Sequence, residues 1–298
     1  GAIAHAGADP VLVETTAGYT ADLVDLERKA ATRGARVFLI SHMRGHIADM
    51  QAVRSICDAH GIAVVEDCAH TMGARWAGRP SGRWGKVGCY STQTYKHINS
   101  GEGGLLVTDD DDVAARAILC SGSYMLYEQH LVKPPAEVFE RWRYDTPNFS
   151  LRMSTHAAAM LRPQLADLPR RAAAWNALYA KLERALGGLP HLSIPARDAK
   201  EEFVASSIQF TLDLAVPRIE RFLAGCDRRG LHIKWFGRGE PQGFTSNYTH
   251  WRYLRQTQQV PASLPLMEGL CDMRIPLSLT DEDCALIGRI VRVALAEA

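Results

Sequence analysis

No run of the 298 residues is long and apolar enough to cross a bilayer, so no membrane partner is expected. The opening GAIAHAGADP lacks the charged segment and apolar stretch of a signal peptide. An excess of charge is missing too. The 34 basic and 33 acidic side chains leave +1, which argues against nucleic acid or an anionic membrane as a partner. There is no C-x-x-C, and the seven cysteines are odd in number and scattered. That pattern fits reduced thiols packed in the core of a cytoplasmic protein. Cys57 with His60, or Cys68 with His70, has no second pair at finger-like spacing, so no metal is expected. Nor does a G-x-G-x-x-G open a helix after a strand, which removes the usual dinucleotide fingerprint. Residues 73–88, rich in Gly and Arg with two Trp, carry no RNA-binding motif and read as a hairpin-like loop.

What is present is alternation. PVLVE at 10–14 reads as a strand, 20–32 as a helix and 36–41 as a strand. Residues 50–61 read as a helix, and 61–65 as a strand. The order strand, helix, strand predicts an α/β domain with mostly parallel strands. The acids at 109–112 open a helix, where they complement its dipole. Residues 121–143 show no period and read as a long loop over the mouth of a site. Residues 155–186 read as a long helix in spite of Pro163 and Pro169. Beyond them comes a smaller α+β region. It has a strand near 206–214, a helix at 218–230 with Ile219, Phe222, Leu223 and Cys226 on one side, and a final helix capped by Thr280. His42 and His46 stand in a loop at a strand end and read chiefly as polar supports of that loop.

One stretch, from 64 to 104, dominates the chemistry. An apolar strand runs into Glu66 and Asp67. A second strand, VGCYS, ends at Ser91, followed by Lys96 and the turn Ser100-Gly101-Glu102-Gly103-Gly104. In open α/β sheets ligands gather beyond the carboxyl ends of strands, where Asp67 falls. Alone, Asp67 reads as readily as a helix cap, and Lys96 as a surface lysine. Together they are the two parts that pyridoxal 5'-phosphate (PLP) chemistry requires: an amine to attach the aldehyde, and an anion to keep the ring nitrogen protonated.

This stretch resembles the DegT-type sugar aminotransferases of PLP fold type I. Glu66-Asp67-Cys68-Ala69-His70 matches that family's Glu-Asp-x-Ala-Gln/His. The segment from Ser91 to Lys96 matches its Ser-aromatic-x-x-x-Lys, with Thr92 at the aromatic position, and Gly101-Glu102-Gly103-Gly104 matches its turn. The resemblance implies that Lys96 carries the Schiff base and that Asp67 pairs with the ring nitrogen. It also implies that His70 meets the phenolic oxygen and Ser91 the phosphate. Residues 148–154 resemble the family's Asn-x-Arg-x-Ser/Thr segment, with Ser150 standing where an Asn reaches the neighbouring subunit's cofactor. Arg152 follows and reads either as a substrate contact or as an interface brace.

The implied fold is a large PLP-binding domain over 1–165, lacking an N-terminal segment that carries a Gly-Thr phosphate turn, and a small α+β domain over 166–298. The implied activity is transfer of an amino group from glutamate or glutamine to a keto sugar, a nucleotide-linked keto sugar or a cyclitol, by a homodimer. Residues 232–253 lack the His-Tyr-x-Pro-x-His-like pattern of many nucleotide-sugar members. Their aromatics read equally as a ring-stacking surface or as packing. The alternative is a non-catalytic relative that serves as a binding or interaction protein. In the family's dehydratase branch His replaces the lysine, and Lys96 argues against that.

Overall fold

Backbone partners decide where the first strand begins. In the structure, a computed structural model that describes residues 1–123, 125–240 and 247–298, α1 (Ala2–His5) leads into a segment that forms no strand. The strand expected at 10–14 is absent because side chains take its hydrogen bonds. Leu12 N donates to Gln258 Oε1 (3.0 Å), Glu14 N donates to Asp25 Oδ2 (2.8 Å), and Lys29 Nζ donates to the Leu12 carbonyl (2.6 Å). Helix α2 (Leu23–Arg33) follows, capped by Asp22 and stopped at Gly34 in the left-handed region. Then come β1 (Val37–Ser41), α3 (Met50–Ala59) and β2 (Ala63–Asp67). The β2 strand lies two residues later than expected, so Glu66 and Asp67 belong to it.

The Gly- and Arg-rich segment forms the hairpin β3 (Arg75–Trp76) and β4 (Arg79–Pro80), as expected. Strand β5 (Val87–Ser91) and β6 (Gly104–Val107) follow, with the lysine loop between them. Asp110 caps α4 (Asp111–Cys120). The segment expected to be one long loop contains α5 (Ala136–Trp142), whose Val138 and Phe139 pack against Ala115 and Leu119 of α4. The weak period hid it because only those two side chains of α5 are buried. Ser154 caps α6 (Thr155–Leu186), a single helix through both prolines.

The remainder comprises β7 (Leu192–Ser193), β8 (Glu201–Glu202), β9 (Ser207–Leu212), α7 (Val216–Asp227), β10 (Lys234–Trp235), α8 (Ser263–Glu268), β11 (Leu270–Arg274) and α9 (Asp281–Glu297). On α7 the four side chains named from the sequence are buried. Thr280 caps α9 in a reciprocal box with Asp283.

Two four-stranded sheets result. In the first, ordered β1-β2-β5-β6, the first three strands are parallel and β6 is antiparallel. The second, β10-β11-β9-β7, is antiparallel. A small third sheet joins β8 to the hairpin. The central hydrophobic cluster takes Leu26, Ile40 and Val64 from one side of residue 165 and Phe210, Phe222 and Val291 from the other. Helices α6 and α9 approach closely because Gly288 has no side chain: a Cβ there would lie 2.9 Å from that of Ala185.

Register fixes what each face of the first sheet presents. Side chains alternate along a strand, so Glu66 shares a face with Ile40 and Gly88. On that face Ile40, Val64 and Glu66 are buried, whereas Leu105 and Val107 of the edge strand β6 are exposed. Asp67 shares the other face with Ser41, Cys89, Ser91 and Leu106. This second face is less covered: Val37 is 57% and Leu106 46% exposed. The lysine loop leads into an exposed strand, since all four residues of β6 are exposed.

Candidate active site

The carboxyl ends of β1, β2 and β5 bring the predicted residues to one corner. Asp67, the last residue of β2, is half-buried. Its Oδ2 accepts from Ser41 Oγ at 2.9 Å and its Oδ1 from Ala69 N at 3.0 Å, which orients the carboxylate. No helix follows, so Asp67 closes a turn rather than capping a helix. Ser91 ends β5 on the same face, where its Oγ accepts from Gln93 N (3.3 Å).

The lysine loop is held from both ends. Thr92 N donates to the Gly103 carbonyl (2.9 Å) and Thr94 N to that of Gly101 (2.9 Å). From α6, Gln164 clasps Asn99: Asn99 N donates to Gln164 Oε1 (3.0 Å), and Gln164 Nε2 donates to the Asn99 carbonyl (2.7 Å). His97 is buried and sets its ring edge-on to Trp175, 5.1 Å between centroids. Burial first, then the charges of Lys96, Arg274 and Arg171, push His97 down to about 4, so it is a neutral packing group.

Lys96 is half-buried, and its Nζ lies 3.0 Å from His70 Nε2. Burial, followed by the positive charges of Arg274 and Arg44, lowers the lysine pKa, with Asp67 opposing. The same influences act on His70. Burial and then Lys96, Arg44 and Arg274 hold it far below the ordinary histidine range, so its ring is neutral. An amine biased toward its uncharged form is a better nucleophile.

Glu66, next to Asp67 but on the buried face, has a different task. Its Oε1 accepts from Trp84 N (2.7 Å) and Gly85 N (2.6 Å), and its Oε2 from Gly82 N (2.8 Å) and His42 Nε2 (3.3 Å). Burial alone would raise its pKa, but the bonds from His42, Gly85 and Gly82 outweigh that and hold it low. His42, Glu66 and Cys68 place one ligand atom each within 4.8 Å of one another. Both Glu66 oxygens are already committed, and burial pushes the Cys68 thiol up to about 12. This is a hydrogen-bonded corner of the core rather than a metal centre. His46, bonded through Nε2 to Gln209 Oε1 (2.8 Å), is likewise internal. Both histidines thus support their loop.

Ser150 lies in the left-handed region at φ 54°, and its N donates to Asn148 Oδ1 (2.8 Å). Arg152 Nη1 donates to the Gly122 carbonyl (3.4 Å), bracing the segment. Of the aromatics at 232–253, Trp235 is buried and donates to the Glu268 carbonyl (2.7 Å), which is packing. Residues 241–246 of that stretch lie outside the described residues. Arg44 and Arg274 escaped the sequence reading. Arg44 had a signal, standing between two histidines and before Gly45 in a strand-end loop. Arg274 had none, because only the fold brings β11 to the lysine loop.

An amine, a carboxylate, a neutral imidazole and a hydroxyl thus meet at one sheet corner, in a chain that is similar to several known proteins. A dTDP-3-amino-3,4,6-trideoxy-alpha-D-glucose transaminase from Streptomyces venezuelae is 32% identical over 195 residues, covering 65% of this chain and 48% of that protein. An L-glutamine:scyllo-inosose aminotransferase from Streptomyces griseus is 43% identical over 117 residues, 39% of this chain and 27% of the relative. The chain thus spans about half or less of the length of these curated relatives. The solved structure of DesV from S. venezuelae, 26% identical, superposes with a TM-score of 0.80 over 100% of this chain and 75% of that one. The aminotransferase TlmJ from Streptoalloteichus hindustanus, 20% identical, shares the fold at a TM-score of 0.82, over 99% of this chain and 75% of its own. The family model described as the DegT/DnrJ/EryC1/StrS aminotransferase family matches residues 1–292, and the chain belongs to that family.

Proposed function

We propose that the protein is a PLP-dependent aminotransferase. It would move an amino group from glutamate or glutamine to a keto sugar, a nucleotide-linked keto sugar or a cyclitol. The observation that carries this reading is the Lys96 amine, lowered in pKa and 3.0 Å from a neutral His70, at the strand-end corner that holds Asp67.

The residues fit PLP. Lys96 would hold the aldehyde carbon, Asp67 the ring nitrogen, His70 the phenolic oxygen and Ser91 the phosphate. When bound, the cofactor supplies an electron sink for charge developing at the carbon next to the donor nitrogen. The chain's own residues do the rest. Ser41 and the Ala69 N–H hold Asp67 as an oriented carboxylate. With the donor in place, Lys96 Nζ would take the proton from the donor's α-carbon and return it, as general base and acid. His70, neutral and in contact with Nζ, keeps that amine directed into the corner.

A homodimer is part of the proposal. Met125, Leu131, Val132, Phe149 and Leu151 are all more than half exposed on the segment between α4 and α6, which supports an interface there. The division into a PLP-binding part over 1–165 and a small domain over 166–298 is likewise proposed, as is a cytoplasmic setting, supported by seven free thiols.

The test is an absorbance spectrum with added PLP, before and after glutamate, on wild type and Lys96→Ala. A band that requires Lys96 and bleaches with glutamate is expected, with turnover in Lys96→Ala reduced on the order of 10³-fold. Retained turnover in Lys96→Ala would sink the mechanism.

A further inference from the structure

The turn after β1 holds Arg44 in the left-handed region at φ 57°, which is unusual for a side chain of its size. Gly45 follows at φ 86°, and a Cβ there would lie 3.3 Å from the carbonyl oxygens of His70 and Val204. The turn is thus wedged against backbone, and Arg44 is held by its surroundings rather than by its own preference. Such outliers gather at functional sites.

Its side chain is only 12% exposed. Nη2 pairs with Asp272 Oδ2 at 3.2 Å, while Nε and Nη1 are buried without a hydrogen-bond partner. Asp272 cannot turn to serve them, because its Oδ1 accepts from Gln209 Nε2 (2.6 Å). Across the β10–β11 ladder Asp272 stands opposite Lys234. Two residues on, and so on the same face of β11, Arg274 Nη1 donates to the Tyr95 carbonyl (3.3 Å), one residue from Lys96. Three cations therefore gather about one carboxylate beside the reactive amine. Their mutual influence is visible: after burial, the Arg44 charge contributes to the lowered pKa of Lys96, His70, Lys234 and Arg274. Buried guanidinium donors left without partners are costly, and an anion would complete them.

We infer that Arg44 and Arg274 form a carboxylate-binding subsite beside Lys96 that receives the α-carboxylate of the amino donor. The carboxylate's owner rests on the aminotransferase reading. An amino acid whose nitrogen replaces Lys96 Nζ has its carboxylate one carbon away, on whichever side carries positive charge, and these arginines supply that side. The planar guanidinium suits that group.

The test measures binding to the full chain without cofactor. Glutarate, its uncharged analogue glutaramide and inorganic phosphate are titrated by calorimetry into wild type, Arg44→Gln, Arg274→Gln and, as a control, Arg54→Gln. Arg54 pairs with Asp58 on α3, away from the corner. Glutarate is expected to bind wild type and Arg54→Gln alike and glutaramide not at all. Each of the other two substitutions should weaken glutarate about tenfold or more. Arg274 is exposed, so its variant carries the test if Arg44→Gln does not fold. Glutarate binding unchanged in both variants, or phosphate binding as tightly at the same arginines, overturns the subsite. The Lys96-dependent band with PLP is recorded in parallel. A band with arginine-independent glutarate binding removes the subsite alone. Arginine-dependent binding with no band removes the aminotransferase reading and leaves a carboxylate site.

Discussion

The two four-stranded sheets are buried to opposite degrees. In β9 five of six residues are buried, whereas in β6 none of the four is. Strands β9 and β11 of the antiparallel sheet belong to the main core, with residues of α6, α7 and α9. The parallel one buries the face of Ile40 and Glu66 and leaves the face of Leu39 and Leu106 more open. Yet the reactive corner belongs to the open sheet. Stability and chemistry are thus separated, and they meet where Arg274 at the end of the buried sheet touches the lysine loop.

Three substitutions test that separation. The largest effect is expected from Phe210→Ala in β9, where a fully buried ring leaves a cavity. A loss of about 3–5 kcal/mol in denaturant unfolding is expected. A much smaller loss would mean that the second sheet is not the stabilising one.

Next comes Glu66→Gln. Replacing one carboxylate oxygen by an NH₂ sets a donor against backbone donors at Gly82 or at Trp84 and Gly85, for a loss of about 3 kcal/mol. Glu66 has a lowered pKa in the fold, so its contribution is present above the ordinary carboxylate range and is lost as pH falls through the lowered value. The stability gap between wild type and variant at neutral pH should therefore close at acid pH. A constant gap down to the acid limit would contradict the assignment.

Smallest is Leu106→Lys on the open face. Stability should change by less than about 0.5 kcal/mol, with weaker binding of a hydrophobic dye. A cost of several kcal/mol would show that this face is covered in solution.

The corner was legible to the extent that its residues are close in sequence. Asp67, Ser91 and Lys96 lie within thirty residues, and strand, turn and glycine signals frame them. The division of labour between Glu66 and Asp67 was not legible. It follows from register, since one step along a strand moves a side chain to the other face. The strand expected at 10–14 failed because Gln258, Asp25 and Lys29 outcompete a neighbouring strand for its backbone, and no local pattern records them. Helix α5 was missed because its apolar stripe is only Val138 and Phe139 wide. Arg274 reaches Tyr95, the neighbour of Lys96, from 179 positions away, and nothing in either segment announces the meeting.

The Gln164 clasp on Asn99 has a consequence for the order of folding. Strands β1, β2 and β5 can pair with one another from nearby sequence, but the clasp joins groups 65 residues apart and depends on a formed α6. Contacts of such span close late, because their entropy cost precedes their reward. A nascent chain that ends before Gln164 would therefore hold Asp67 at its strand end while Lys96 still wanders, and the reactive amine would be set in place only as α6 docks.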